Sequence, residues 1–306
     1  MQAVNKLGRL FPLRYRTVTP VEEFELGSLI EVPEGFVPTN PSIVEFGGHK
    51  ITNIRCVNYQ LDGERTLKSR FLTGNDWQSV NRVISWKGSL PDQAIANPEL
   101  SRVLGTLEDV RFLTAGGMLY ASGTCYDGGI GGIKLFIFDD KLELVERQSY
   151  SSPFGFGQEK NWAPFDNDGE LYFIYALHPL IILRRDGSEA GYQIVHGEDV
   201  SASEISFNTG GSSQGISFED GWLFVFHRRR VQPFVSGTIY VHYFVWISRD
   251  FRTVRQGQPF VIGRPAVHFV SGMVREGADL LISYGRADSS ALLARLPLSA
   301  LPIPCP

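Results

Sequence analysis

The chain has 306 residues, a formal net charge of −4 and a pI near 5.9, so no overall basic field draws it to nucleic acid or to an anionic membrane. Its 21 Phe, 11 Tyr and 5 Trp, set among 32 Gly and 17 Pro with only 3 Met, favour short aromatic strands and tight turns over helices. Cys56, Cys125 and Cys305 are spaced for neither a disulfide framework nor a metal set, and no stretch nears the roughly 20 apolar residues of a membrane span. These features predict a cytoplasmic protein in a reducing compartment that takes a small polar ligand, with no nucleic acid, membrane or metal partner.

In chain order, residues 1–35 include "FPLRYRTVTPVEEFEL", apolar enough to complete a sheet or to reach a partner subunit, which leaves a homo-oligomer open. Beyond them a unit recurs about every 45 to 55 residues: a polar or Gly-rich lead-in, a short turn, then an aromatic-rich alternating strand. Its copies centre on "NPSIVEFGGHKITNIRCVNY" (40–59), "EDVRFLTAGGMLYASGTCYD" (108–127), "KNWAPFDNDGELYFIYAL" (160–177), "SSQGISFEDGWLFVFHRR" (212–229) and "FVSGMVREGADLLISYGRAD" (269–288). Each sets Gly, Asp-Gly or Gly-Gly between two apolar runs, which is hairpin chemistry because such residues take positive φ cheaply. Four strands per unit and five units predict one all-β domain over residues 1–306, a five-bladed β-propeller. Its blades fall near 36–88, 104–150, 158–196, 205–262 and 264–300, with residues 1–35 completing the last. Helical signals are poor: "SASE" (201–204) fits a capping box, but Gly210 and Gly211 follow too soon for a long helix. "YDGGIGGIK" (126–134) lacks the strand-to-helix context of a phosphate loop and reads as a turn at the lip of the channel.

In a propeller the innermost strand of every blade lines the channel, so polar residues at one repeat position meet at one mouth. Matching positions hold Asn40 and Arg55, then Glu108, Asp109 and Arg111, then Glu159, Lys160 and Asn161, then Gln214 and His227, and finally Tyr284 and Asp288. Structural readings stand beside the functional one. Asp109 and Arg111 form an i, i+2 pair that fits a buried ion pair, Lys160 and Asn161 fit a turn cap, Trp162 fits packing between blades, and His227 opens the basic strand end "HRRR". His242, alternating in "IYVHYFVWI", reads as a satisfied core histidine, and His49, His196 and His268 lack metal spacing. Serine hydrolase chemistry is not expected, since "SGMV" and "SYGR" read as strand residues.

Several of these segments resemble glycoside hydrolase family 130, five-bladed propeller phosphorylases and hydrolases of β-mannosides. "LEDVRF" is similar to that family's Glu-Asp-Pro-Arg segment, "NPSIVEFGGHKITNIRCVNY" to its first blade, and "FVSGMV" through "LLISYGRAD" to its closing segment; "EKNWAPF" resembles related mannosyltransferase and phosphorylase propellers. The resemblance implies Asp109 as general acid, acting directly or through a sugar hydroxyl, which calls for a carboxyl whose pKa is raised. It implies substrate binding by Asn40, Arg55, Asn58, Glu108, Arg111, Tyr126, Lys160, Asn161, Trp162, Gln214, Tyr284 and Asp288, with Trp162 and Tyr126 stacking on sugar. Arg55, Arg111, Lys160, His227 and Tyr240 would form a phosphate or anion site. Neighbouring strand residues point to opposite faces, so Glu108 is expected to turn away from Asp109.

The chain departs from the family pattern in places. Val110 replaces the usual Pro, "YALHP" puts Ala176 and His178 where phosphorylases carry Arg, and "NTGGSSQG" lacks their Lys. Without phosphate, an inverting hydrolase needs a second carboxylate about 6.5 to 9.5 Å from the acid, for which Glu159, Glu204 and Asp288 are candidates. The expectation is an enzyme that makes or cleaves a glycosidic bond, most plausibly an inverting phosphorylase or hydrolase of a mannoside-type oligosaccharide. No cofactor is expected beyond inorganic phosphate as co-substrate. The alternatives are a sugar-nucleotide-dependent, mannosyltransferase-like glycosyltransferase and a non-catalytic saccharide-binding module.

Overall fold

A computed structural model describes residues 15–58, 78–127, 130–188, 190–231 and 238–305. Gly128 and Gly129, the centre of the turn expected at 126–134, lie outside the described residues. The described residues begin with β1 (Arg16–Val18) and β2 (Glu22–Glu25), then build a first sheet from β3 (Val37–Phe46), β4 (His49–Val57), β5 (Ser79–Trp86) and β6 (Ile95–Ala96). A second sheet holds β7 (Glu108–Ala115), β8 (Met118–Asp127), β9 (Ile130–Phe138) and β10 (Leu144–Tyr150). A third holds β11 (Ala163–Asn167), β12 (Glu170–Leu177), β13 (Leu180–Arg185) and β14 (Tyr192–His196).

The next sheet breaks the pattern. It has seven strands: β15 (Gly210–Gly211), β16 (Ile216–Phe218), β17 (Gly221–Val231), β18 (Thr238–Ser248), β19 (Val254–Gln256) and β20 (Phe260–Ile262), with β1 added parallel to β20. The last sheet joins β21 (His268–Glu276), β22 (Asp279–Arg286) and β23 (Ser290–Pro297) to β2, which pairs antiparallel with β23. The chain is thus an all-β propeller, but among the described residues its regular four-stranded blades number four, where the repeat predicted five. The cause is local. Gly210, Gly211 and the turn through Gly215 split the inner strand of the seven-stranded sheet into β15 and β16, while β17 and β18 run to 11 residues each.

Apolar clusters fill the spaces between neighbouring sheets. One such cluster sets Phe165, Tyr172 and Ile174 of the third sheet against Trp222, Phe224 and Val245 of the seven-stranded one. Burial on both faces is why middle strands read as continuous apolar runs: β12 is buried from Leu171 to Leu177. Each fully buried aromatic or aliphatic side chain of this kind stabilises by about 1.5–3 kcal/mol.

One short helix, α1 (Pro98–Leu104), went unforeseen, although its signals are present. Asn97 caps it by accepting from the Leu100 N–H at 3.0 Å, Pro98 opens the first turn, and Gly105 (φ 51°) ends it. The capping box at Ser201 and Glu204 forms on a single 3-10 turn, Ala202–Glu204.

Candidate active site

The polar mouth lies at the N-terminal ends of the innermost strands, where the backbone departs from regular pairing. The β3–β4 register breaks between Thr39 and Ser42, and the β7–β8 register between Glu108 and Arg111. Inside these bulges Asn40 has φ 42° and Asp109 φ 51°; Asn161 (φ 63°) precedes β11 and Asp288 (φ 51°) follows β22. Asn and Asp are the non-glycine residues that bear left-handed geometry at least cost, which explains the residue types. A bulge re-aims side chains. Glu108 therefore does not turn away from Asp109 as strand alternation predicted: both carboxylates reach one guanidinium nitrogen, Arg55 Nη1, at 3.3 and 3.0 Å.

Around this pair the hydrogen bonds are dense. Arg55, 1% exposed, also donates from Nε to Ser79 Oγ at 2.9 Å. Asn40 Nδ2 donates to Asp109 Oδ1 at 2.9 Å, and Lys160 Nζ sits 3.2 Å from Glu108 Oε2 and 5.1 Å from the Tyr126 ring centroid. Burial works to raise the Asp109 pKa, but Arg55, then Arg111, the Asn40 hydrogen bond and Lys160 outweigh it and hold the carboxyl below the ordinary aspartate value. The resting carboxyl is therefore ionised at neutral pH, the reverse of the raised pKa expected of a waiting acid. Burial opposes the charge on Lys160, yet Glu108 first and then Tyr126 and Asp109 keep its ammonium above the usual lysine value.

Arg111 ties the blades together at the axis. Its Nε donates to Ser212 O at 2.6 Å, Nη1 to Asp109 O at 3.0 Å, and Nη2 to Asn161 Oδ1 at 2.9 Å and Gly211 O at 3.0 Å. Burial, partly countered by Asp109, brings Arg111 down to about 10, so it stays charged. With four N–H bonds committed to protein oxygens, it fits a strut for the Asp109 backbone better than the anion ligand expected. His227 stacks on Tyr240 with centroids 4.8 Å apart and shares a 2.7 Å hydrogen bond between Nδ1 and Ser212 Oγ. Burial first, and the Arg111 charge second, push His227 down to about 4, so at pH 7 it is neutral and offers no charge to an anion.

Other expected residues serve the fold. Trp162 is not a sugar platform: it is 2% exposed, stacks on Tyr150 at 5.8 Å and donates from Nε1 to Glu159 Oε2 at 2.8 Å. Glu159 also accepts from Tyr175 OH at 3.0 Å and is buried, so it is not placed to activate water. Gln214 Nε2 donates to Ile43 O (2.9 Å) and Met273 O (2.8 Å), clasping inner strands rather than substrate. Tyr284, 1% exposed, donates to Glu23 Oε2 at 2.5 Å and so fastens β2 to the last blade. Glu204 is exposed and occupied by its capping box. Asn58, at the end of β4, accepts from the Gln78 N–H at 2.6 Å; Tyr126 and Tyr240 are half-buried, and Asp288 is buried.

Gly211 and Ser212 were missed as parts of the site. Their signal lay in "NTGGSSQG", where a Cβ on Gly211 would collide with Asn161 O, so only glycine lets the two segments approach. Among the described residues no group of three or more His, Cys, Asp or Glu side chains is arranged to hold a metal, and no helix is long and apolar enough to cross a membrane.

No family model matches the chain, and a comparison with curated proteins gives no match. Solved structures do match in fold. A β-1,2-mannobiose phosphorylase from Listeria innocua, in complex with β-1,2-mannobiose, has a TM-score of 0.58 at 16% identity over 90% of this chain and 96% of that one. A mannose phosphorylase from Leishmania mexicana, in complex with phosphate ion, has a TM-score of 0.54 at 15% identity over 97% and 91%. A third structure, from work describing glycoside hydrolases within the GH130 family of mannoside phosphorylases that target β-1,2-mannosidic linkages in Candida mannan, has a TM-score of 0.62 at 13% identity over 89% and 87%. The shared feature is the propeller.

Proposed function

We propose that the chain is a glycoside-processing enzyme of the five-bladed propeller type, the seven-stranded sheet taking the fifth blade position, and that Asp109 is its general acid on a mannoside-type substrate. The observation that carries this is the Asp109 bulge. A non-glycine residue in left-handed geometry aims a carboxyl, whose side chain is 17% exposed, into a mouth where Arg55 and Asn40 hold it. Strain of about 1–3 kcal/mol is kept at a site of use, and a purely structural ion pair does not require it. Phosphorolysis is favoured over hydrolysis because Glu159 and Glu204, two of the three candidate water activators, are committed elsewhere, while the Lys160 side chain remains 36% exposed. The ionised resting state fits this reading. An anion arriving beside Lys160 would offset the cations that hold the Asp109 pKa down, and a sugar would expel water; both changes move the carboxyl towards its acid form.

The test is phosphorus NMR on the protein with β-1,2-mannobiose and inorganic phosphate, with free mannose assayed in the same tube. A new sugar 1-phosphate resonance is expected, reduced by about 10²- to 10⁴-fold in Asp109→Asn, the range for loss of a general acid. Free mannose without that resonance overturns phosphate as the acceptor, and no cleavage of any β-mannoside overturns the reading as a whole.

A further inference from the structure

An aromatic ridge stands at the same mouth, on the rim of the third blade. Phe154 and Phe156, in the loop between β10 and β11, cover the apolar cluster between the second and third sheets. Phe207, in the loop from β14 to β15, is 54% exposed. Its ring meets Phe156 edge-on at 5.3 Å and Tyr175 at 6.0 Å, and Phe154 lies 5.4 Å from Tyr175. The exposure is not slackness of the loop. Ser206 N donates to His178 O at 2.9 Å, Ile205 packs on the core, and Thr209 Oγ1 accepts from Arg228 Nε at 2.6 Å, so Phe207 is pinned on both sides and still turned to water.

The ridge is continuous with the charged mouth. Tyr175 donates to Glu159, whose chain neighbour Lys160 pairs with Glu108 beside Asp109. Polar groups accompany the ridge: next to Phe207 in the chain, Ser206 Oγ accepts from Asn208 Nδ2 at 3.0 Å, and behind it Ser152 Oγ lies 3.4 Å from Tyr175 OH. A ring presented beside short polar side chains suits a sugar, whose C–H face covers the aromatic ring while its hydroxyls bond at the rim.

Resting on the glycosidase-type reading above, we propose that Phe207, backed by Phe156 and Tyr175, is an outer subsite that stacks a sugar ring beyond the one held at Asp109, so that the substrate is an oligosaccharide crossing the third blade. With Trp162 buried, this ridge takes over the stacking role expected of it.

Calorimetric titration of mannose, β-1,2-mannobiose and β-1,2-mannotriose into wild type, Phe207→Ala and Phe207→Tyr tests the proposal, with melting and gel filtration on each variant. One aromatic contact contributes about 0.5–1.5 kcal/mol. Phe207→Ala is therefore expected to weaken mannotriose about two- to tenfold and mannose less than about twofold, with Phe207→Tyr near wild type. Unchanged mannotriose affinity in Phe207→Ala, while mannose still binds, overturns this inference and leaves the reading of Asp109 standing. A change in oligomeric state with no change in sugar affinity also overturns it, assigning the ridge to a second copy of the chain. Wild-type protein that binds no saccharide of the series overturns both readings.

Discussion

The two ends of the propeller channel are built from the same inner strands and could hardly differ more. At the end opposite Asp109 lies a cavity of about 390 Å³, lined by the C-terminal ends of these strands, with Glu45, Thr114, Asp166, Asp168, Arg249 and Arg275 among its residues. Positive φ there belongs to hairpin turns such as Gly47–Gly48, Gly116–Gly117 and Asp168–Gly169, where it is ordinary turn chemistry. Glu45, Asp168, Arg249 and Arg275 are exposed. At the Asp109 end the left-handed residues sit in bulges and at strand ends, as at Asn40, Asp109, Asn161 and Asp288, and the charges are buried against each other. This hollow and the buried charge cluster are thus at opposite mouths, and the cluster is the candidate site, because water holds exposed charges at little cost whereas buried ones need specific partners.

The largest effect expected from this contrast is in Arg55→Ala. That substitution leaves Glu108 and Asp109 without the guanidinium they share, and Arg111 is already committed to carbonyl oxygens and Asn161. Removing one partner of a buried charge pair costs about 3–5 kcal/mol, to be read from urea unfolding. Adding Glu108→Gln should return part of that loss, since one uncompensated charge is removed with it. A loss below about 1 kcal/mol would mean that water reaches the cluster and that the two mouths differ less than their geometry suggests.

How much of this was legible follows from particular residues. The repeat showed because each copy carries its own turn residues before an apolar run, and the seven-stranded sheet hid behind the same signal because "SSQGISFEDGWLF" contains a normal turn. Asn40, Arg55, Glu108, Asp109, Arg111, Lys160 and Asn161 were singled out by repeat position, and the structure brings them together. Burial was the illegible part. When both faces of a blade are covered, alternation no longer separates inside from outside, so Trp162 and Tyr284 read as ligand contacts although they are core. The bulge was equally hidden, because one inserted residue reverses the facing of Glu108 and leaves no mark in composition. Arg111 could not be read as a strut, because its carbonyl partners Gly211 and Ser212 lie about 100 positions away in sequence.

A smaller effect is expected from pH. Burial, with help from neighbouring positive groups, depresses His227 to about 4, His242 to about 3 and His268 to about 4, from ordinary values near 6.5. His242 is core as expected, fully buried with the backbone of Phe260 and His268 against its ring. For a histidine with a depressed folded pKa, the unfolded chain takes up the proton first. Stability is therefore complete above about pH 6.5 and falls as pH drops towards 4 to 3, at up to about 1.4 kcal/mol per unit for each group. The lowered pKa of Asp109 acts in the same direction at lower pH: its contribution, present above 3.8, is lost as pH falls through the folded value. His242→Phe should flatten the upper part of this acid limb with little change at pH 7. An acid limb of unchanged slope would show that protonation of His242 does not drive the loss of stability in this range.

The smallest effect should come from the mouth opposite Asp109. Arg275 is exposed, donates from Nε to Gly277 O at 3.3 Å and lies 5.3 Å over the Phe218 ring; Glu45 at the same rim is also exposed. Exposed contacts of this kind contribute at most about 0.5 kcal/mol, so Arg275→Ala and Glu45→Ala should leave unfolding, and the turnover proposed for Asp109, within about twofold of wild type. This pair of variants tests the comparison more severely than its size suggests. A tenfold loss of turnover in either one, with the fold intact, would place the reaction in the cavity rather than at the strained bulge, and Asp109 would then be a structural charge holding the blades in register.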